Sequence, residues 1–320
     1  ALPGTGARGL KPKESFLERD TSMKFLNDIK RNKGIYLLMI PVMAFFIIFA
    51  YVPMGGLVMA FQNYTPKGGF FHSEWVGFQH FADFFGSVYF GRLIRNTLLI
   101  SVLNLIFGFP APILFALLLN EVGNKAFKKT VQTVSYLPYF ISVVIVCGII
   151  ADFTASGLFN QISGFFGAEP VSLLSQPKYF RTIYVLSDMW QGIGFNSIIY
   201  LAALSGIDQG LYEAAALDGA NRWKQTLHVT LPGIASTIII LLILRMGSMF
   251  AVGYEKIILL YSTNTFETAD VISSYVYRKG LQEFNYSYST AVGLFNSLIN
   301  TTLLVLSNKL SRKFSDTSLF

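Results

Sequence analysis

The sequence predicts an all-α integral membrane protein with six transmembrane helices. Three observations predict it. The 320 residues are 52% hydrophobic and only 13% charged, six segments are long and apolar enough to cross a bilayer, and the basic residues are divided unevenly among the connections. A soluble domain carries about 25% charged residues, so the low charge implies lipid as the solvent for much of the surface. A large soluble protein with buried helices would need amphipathic helices to cover its core, and almost none is visible outside residues 205–232. Cys147 is the single cysteine and lies in an apolar run, which excludes an internal disulfide and a cysteine metal cluster. The net charge of +7 invites a nucleic-acid partner, but in a membrane protein excess Lys and Arg mark the cytoplasmic loops.

Residues 1–33 are polar and basic, without the short apolar core of a secretory signal. They read as a cytoplasmic segment, and the first span is expected to stay in place as an anchor. A crossing helix needs about 20 mainly apolar residues. The segments that meet this are 34–61, 93–119, 131–151, 182–207, 233–252 and 288–306. They make 34–310 a transmembrane domain, with 311–320 a cytoplasmic tail. Pro41 and Pro53 in the first, Pro110 and Pro112 in the second and Pro138 in the third are expected to kink their helices, which a membrane tolerates because neighbouring helices re-satisfy the freed backbone groups. With the N-terminus inside, 16 of the 25 basic residues fall on cytoplasmic segments, eight fall outside and Arg245 sits within a span. That is the positive-inside bias, and an even number of spans returns both termini to the cytoplasm. In the first external connection Phe78, Phe81 and Phe85 share one helical face. Such a helix would pack on the outer ends of the spans, lie in the interface plane, or dock a soluble partner.

Between the fourth and fifth spans, residues 205–232 predict two short helices. Asp208 suits an N-cap, residues 211–217 hold Glu and three alanines, all strong helix formers, and Gly219 can take the positive φ that ends a helix. A second helix is expected from Asn221 to about Val229, and Pro232 opens the next span, where its missing N–H costs little. Ala214, Ala215 and Ala216 leave a smooth surface that another protein could approach. Read alone, the segment could equally be an ordinary connection.

The sequence has no G-x-x-x-x-G-K-[ST] to cradle ATP phosphates and no H-E-x-x-H. His72, His80 and His228 share no metal-ligand spacing, and no Ser/His/Asp trio stands out. The chain is therefore read as a non-enzyme with no catalytic residue, no metal site and no bound cofactor. Ionisable residues within spans are costly and mark candidate substrate pathways. Asp188 and Arg245 are the two that stand out, with Trp190, Gln191, Asn196 and Asn296 beside them, and Asn104 and Asn300 as further polar positions. Trp190 could stack on a sugar ring through its apolar face. Each amide has a second use as an interhelical hydrogen-bonding group, and Asp188 and Arg245 could instead neutralise each other. An Arg245 facing a central cavity, with Arg278 and Lys279 outside, would favour an anionic substrate such as a uronic-acid oligosaccharide.

Glu213-Ala214-Ala215, Asp218-Gly219-Ala220 and Leu231-Pro232 resemble, in identity, spacing and position, the EAA loop of binding-protein-dependent ABC importer permeases. Trp75-Val-Gly-Phe-Gln-His-Phe81, Arg95-Asn-Thr-Leu98, Trp190-Gln-Gly-Ile-Gly194 and Tyr200-Leu-Ala-Ala-Leu204 extend the resemblance over most of 34–310. The basic N-terminus and Asn221-Arg-Trp-Lys-Gln225 are most similar to the oligosaccharide and polysaccharide permeases, a subgroup that includes the permease of a bacterial alginate importer. Thr226 and Val229 depart from the Phe and Ile usual in the loop. The resemblance implies a type I ABC importer permease fold in which the EAA loop is a coupling helix docked in a groove of an ATPase subunit. It also implies a second, non-identical permease, two ATPase subunits that bind ATP and Mg, a periplasmic or extracellular sugar-binding protein, and alternating access. An importer of another solute, such as a peptide or phosphate, shares the same loop. A gradient-driven secondary transporter would show paired repeats and broken helices, and no repeat is visible. An assembly or receptor protein would need no ATPase.

Overall fold

The computed structural model describes residues 31–155, 164–165, 172–314 and 318. Most of the basic segment expected over 1–33, half of the tail expected over 311–320 and the middle of the connection after the third expected span lie outside the described residues. Two units are distinguished, Ala1–Val58 and Met59–Phe320. The described part of the first belongs to helix α1, whose continuous run is Lys33–Phe61. It is apolar around its whole circumference and none of its apolar window is buried, a surface suited to hydrocarbon.

The second unit contains a two-strand clamp, β1 (Gln62–Asn63) antiparallel to β2 (Glu74–Trp75), with Gln62 opposite Trp75 and Asn63 opposite Glu74. Its longer helices are α2 (Gln79–Phe85), α3 (Phe90–Glu121), α4 (Lys125–Phe140) and α5 (Val143–Thr154), α6 (Pro177–Ser205) and α7 (Gln209–Leu217). They continue with α8 (Arg222–Gly233) and α9 (Ala235–Gly247), α10 (Tyr254–Leu260), α11 (Ile272–Tyr277) and α12 (Tyr286–Phe314).

Among the described residues α1, α3 and α12 are each long and apolar enough to cross a membrane, and the bent pairs α4–α5, at 101°, and α8–α9, at 61°, bring the number to five. The expected fourth span falls in α6, which has the length at 29 residues, but Asp188, Gln191 and Asn196 interrupt its apolar run.

Of the prolines expected to kink their helices, Pro138 stands just before the 101° bend between α4 and α5, whereas Pro41, Pro53, Pro110 and Pro112 lie within helices that run on unbroken. Three prolines share one device. Pro53, Pro110 and Pro232 each follow by two residues a π turn, at Ile47–Tyr51, Asn104–Gly108 and Thr226–Thr230. A proline ring crowds the carbonyl four residues back and offers it no N–H. That carbonyl lies inside the widened turn in all three cases, so the helix continues with a bulge instead of breaking.

Three buried clusters hold the second unit. Ile100, Cys147, Phe180, Tyr184 and Ile257 join α3, α5, α6 and α10. Phe84, Leu93, Ile272, Tyr275 and Val292 join α2, α3, α11 and α12. Ile113, Ala116, Tyr200, Leu204 and Ile234 join α3 and α6 to the start of α9. The short aromatic helix packs on the ends of the spans, but not by the face its spacing suggested. Phe84 is the buried residue, whereas Phe78, just ahead of α2, is 73% exposed. Phe78 and Phe81 instead join the rings of Phe61 and Trp75. Phe84 wins because Phe90 and Phe295 close around it, a tertiary contact that periodicity cannot report.

Candidate functional site

The 205–232 segment folds as local chemistry directs. Asp208 Oδ1 accepts from the Gly210 N–H at 2.9 Å and opens α7. Gly219 has φ +75°; its N–H bonds the Ala216 carbonyl at 3.0 Å while the Ala220 N–H reaches the Ala215 carbonyl at 2.9 Å. These two bonds form a Schellman closure, which needs a residue in the left-handed region at that point. Asn221 Oδ1 accepts from the Lys224 N–H at 2.9 Å and caps α8. Beyond Gln225 the second helix widens into the π turn and runs on through Leu231 and Pro232 to Gly233, further than expected. Tyr212 Oη lies 3.0 Å from Thr230 Oγ1, and Gln225 Nε2 donates to the Ala220 carbonyl at 3.1 Å. The hairpin is therefore tied at its turn and across its base. Glu213, Ala214, Asp218 and Gly219 are exposed, Ala215, Ala220 and Leu231 are half-buried and Pro232 is exposed. Leu217 is 90% exposed and Trp223 69% exposed. Large apolar side chains held outward on a capped hairpin make a surface suited to a protein partner.

Two adjoining hollows of about 360 and 290 Å3 lie among α3, α5, α6, α9 and α10, and both are lined by Asn104, Asp188, Arg245 and Ser248. The larger adds Ser101, Tyr184, Gln191, Glu255 and Lys256, and the smaller adds Asn196 and Tyr200. The structure thus brings together Asp188, Gln191, Asn196 and Arg245. It does not bring in Trp190, which is half-exposed and lines neither hollow, or Asn296, which faces a separate recess with Tyr254 and Ser273. Asn296 Nδ2 donates to the Phe250 carbonyl at 3.3 Å and Asn300 Oδ1 accepts from the Phe250 N–H at 2.8 Å. These two amides tie α12 to the chain beyond α9, the bonding use that the sequence left open. Ser101 Oγ similarly donates to the Met249 carbonyl, and Gln191 Nε2 donates to the Ile141 carbonyl at the α4–α5 break, at 3.4 Å.

The charges pair differently from the expectation. Asp188 Oδ1 lies 3.6 Å from Lys256 Nζ, so its partner is Lys256, not Arg245. Among the described residues Arg245 makes no ion pair. Lys256 sits in the Tyr254–Leu260 helix with Ile257 and Leu260 buried beside it. No local pattern in that short stretch signals its burial, and the residue reads as one more external cation in a charge count. Arg278 and Lys279 are not free external charges either. Arg278 grips the fully buried Asp270 with both Nη atoms, at 2.8 and 3.2 Å, and Arg92 adds a third bond at 3.2 Å. Lys279 donates to Glu283 at 2.6 Å, and that bond raises its pKa above the usual lysine value. Both were expected to draw an anion, and both are instead neutralised by neighbouring carboxylates.

Residues 108–316 match the family described as binding-protein-dependent transport system inner membrane component. Protein LplB of Bacillus subtilis (strain 168) is 45% identical over 294 residues, covering 91% of this chain and 92% of that protein. The polygalacturonan/rhamnogalacturonan transport system permease protein YteP of the same organism is 42% identical over 305 residues, 95% of each. Among solved structures, a chain of a bacterial ABC transporter involved in the import of the acidic polysaccharide alginate superposes with a TM-score of 0.84 at 46% identity, covering 91% of this chain and 99% of that chain. A second structure, of bacterial alginate ABC transporter in complex with alginate pentasaccharide-bound periplasmic protein, gives the same TM-score at 45% identity, covering 92% and 99%. The exposed hairpin and the polar hollows are therefore parts of a type I ABC permease fold, and the chain belongs to the binding-protein-dependent transport system inner membrane components, which are membrane transport subunits and not enzymes.

Proposed function

We propose that this chain is one of two non-identical permease subunits of an ATP-driven importer that carries an acidic, alginate-like oligo- or polysaccharide across the bacterial cytoplasmic membrane. The observation that carries the coupling half of this reading is the hairpin closed by Gly219, which exposes Glu213, Ala214, Asp218 and Gly219, with Ala215 and Ala220 half-buried beside them, ahead of Leu231 and Pro232. In this reading α7 seats in a groove of an ATPase subunit. Two such subunits bind ATP and Mg, and this chain binds neither. Closure of the ATPase pair moves α7 as a rigid lever, and the cluster joining Tyr200, Leu204 and Ile234 passes the motion to α6 and α9, which line the hollows. A bistable permease pair then alternates between inward- and outward-facing states, and a soluble binding protein delivers substrate from outside.

The acidic cargo is supported by the cationic Arg245 on the wall of both hollows and by relatives named for pectic polysaccharides and alginate. The polar face of α6 lines those hollows. That supports counting α6 as the sixth span of a 34–310 domain, apolar toward lipid and polar toward the pathway, with both termini cytoplasmic.

The test is to purify the chain from its native membrane in mild detergent and identify what accompanies it. A second permease and an ATPase are expected, with hydrolysis stimulated by a binding protein loaded with uronic-acid oligosaccharide. A chain recovered alone that drives uptake on an ion gradient without ATP would refute the proposal.

A further inference from the structure

Lys256 is a poorly accommodated charge among the described residues of the second unit. The residue is 95% buried, being 5% exposed, its Nζ has no hydrogen-bond partner among the described residues, and it lines the larger hollow. Its neighbours are Asp188 at 3.6 Å, beyond hydrogen-bonding reach, and the Tyr184 ring, whose centroid is 5.3 Å away. A buried ammonium with unused N–H donors is costly unless an acceptor completes it. The two partners of this loose pair are unequal: the Asp188 side chain is 40% exposed, the Lys256 side chain 6%. The pair also joins two elements, α6 and α10, that are distant in sequence, so it can loosen without breaking either helix.

We propose that Lys256 is a specificity-determining residue of the translocation cavity, binding a carboxylate of the entering saccharide in exchange for Asp188. The inference rests on the acidic-substrate reading above and adds the residue that reads the charge. Asp188, Glu255, Arg245 and Lys256 on the wall sum to zero formal charge, so a general positive field does not select the anion. Selection comes from donors placed where a carboxylate can reach them. Arg245 offers a planar fork and Lys256 a compact ammonium, and a carboxylate that displaces Asp188 from Lys256 supplies the hydrogen bonds that the 3.6 Å pair lacks. Asp188 is then left half-open to the cavity, where its charge can be hydrated. It can re-pair with Lys256 when the sugar leaves, which keeps binding weak enough for passage.

The experiment uses the complete importer in proteoliposomes, with saturating binding protein and two probes of equal length, a uronic-acid oligosaccharide and its methyl ester. Initial uptake is measured for wild type, Lys256→Met, Lys256→Arg and Asp188→Asn. Wild type is expected to take up the acid. Lys256→Met should lower the acid-to-ester uptake ratio at least about tenfold, Lys256→Arg should hold it within about threefold, and Asp188→Asn should leave it unchanged or raise it, since the competing carboxylate is gone. A structural ion pair predicts the opposite pattern, with Lys256→Met and Asp188→Asn lowering uptake of both sugars equally, and that result would overturn the proposal. If Lys256→Met does not assemble, Asp188→Asn decides alone. A fall in the ratio, or an equal loss of both sugars, overturns the proposal, and a raised ratio, or a held ratio with undiminished uptake of both sugars, supports it. A wild type that takes up the ester but not the acid refutes the acidic-substrate reading itself, before any variant is compared. Wild-type acid uptake with an unchanged ratio in Lys256→Met overturns only the role of Lys256.

Discussion

Tyr212 Oη and Thr230 Oγ1, 3.0 Å apart, join the outer helix of the hairpin to the π turn that leads into the next span. Thr230 is buried and also reaches the Gln225 carbonyl at 3.4 Å, so the bond sits where the hairpin meets the membrane domain. In the proposed mechanism, motion of α7 passes through this base.

Tyr212→Phe removes one hydroxyl without changing the ring. A neutral hydrogen bond of this kind contributes about 1 kcal/mol, so the variant should insert normally and lose about that much stability. Thr230→Val should cost about the same. The double variant should cost less than the sum, by about 0.5 to 1 kcal/mol, because both changes delete one interaction. Strict additivity in thermal unfolding of the purified importer would show that the two hydroxyls do not work together. The same cycle read in sugar moved per ATP hydrolysed tests whether the base of the hairpin transmits motion.

Gly219 carries a stricter requirement. At φ +75° an L side chain costs about 1 to 2 kcal/mol, so Gly219→Ala should weaken coupling modestly. Gly219→Pro is incompatible with the turn, because proline fixes φ near −65° and removes the N–H that bonds Ala216. The expected result is a protein that inserts and assembles, with ATP hydrolysis no longer stimulated by loaded binding protein and transport reduced at least about tenfold. Normal transport by Gly219→Pro would exclude this hairpin as the coupling element.

The hairpin was legible in the sequence because its determinants are local: an Asp cap, an alanine run, a glycine that must take positive φ and an Asn cap all lie within 14 residues of one another, from Asp208 to Asn221. The apolar spans were legible for the same reason, each by its own composition. The length of α6 was legible too, but its polar stretch hides it from an apolarity test, since Asp188, Gln191 and Asn196 face hollows made by other helices. The charge pairing was not legible. Asp188 and Lys256 come from α6 and α10, and Asp270 collects Arg92 from α3 as well as Arg278. Nothing in the local sequence says which cation folds back to which carboxylate, so Arg278 read as a free external charge. Phe84 was missed similarly, since its burial depends on Phe295 arriving from α12.

Gly194 shows how closely α6 approaches α4. A Cβ placed on it would run into the Ser135 backbone, and one residue on, Phe195 stacks on Tyr139 with ring centroids 3.9 Å apart. Small residues at such crossings let helices in membranes pack backbone to backbone. Gly194→Ala should cost about 1 to 3 kcal/mol by overpacking, and Gly194→Val should cost more and lower the yield of assembled importer. If Gly194→Val unfolds at the wild-type temperature, α4 and α6 are not held at this distance in the membrane.

Asp270 is a fully buried carboxylate shared by two guanidinium groups that are themselves partly exposed. Arg278 and Arg92 both bond it, Ser274 Oγ donates to Oδ1 at 2.9 Å, and Asn96 Nδ2 donates to its backbone carbonyl at 2.9 Å. Removing one partner of a buried pair costs about 3 to 5 kcal/mol, because the charge left behind is uncompensated. Asp270→Asn keeps the shape and removes the charge, so it should destabilise by that order. Pairing it with Arg92→Met should recover part of the loss, since one unbalanced cation is removed. A rescue readable as a higher melting temperature than Asp270→Asn alone is expected; a double variant worse than the single would mean that Arg92 has a second, independent role.

Among the described residues Arg245 makes no ion pair, and it lines both hollows. If it meets the substrate, its loss should depend on the substrate's charge. Arg245→Met keeps length and apolar volume while removing the guanidinium. A charge-assisted hydrogen bond is worth about 1.5 to 3 kcal/mol, and each 1.4 kcal/mol is about tenfold. Uptake of a uronic-acid oligosaccharide should therefore fall at least about tenfold, and uptake of its methyl ester should fall much less. Arg245→Lys should recover part of the acid uptake, since charge returns without the planar fork. Equal losses for both sugars would assign Arg245 to the packing of α9, and unchanged acid uptake would remove it from the pathway.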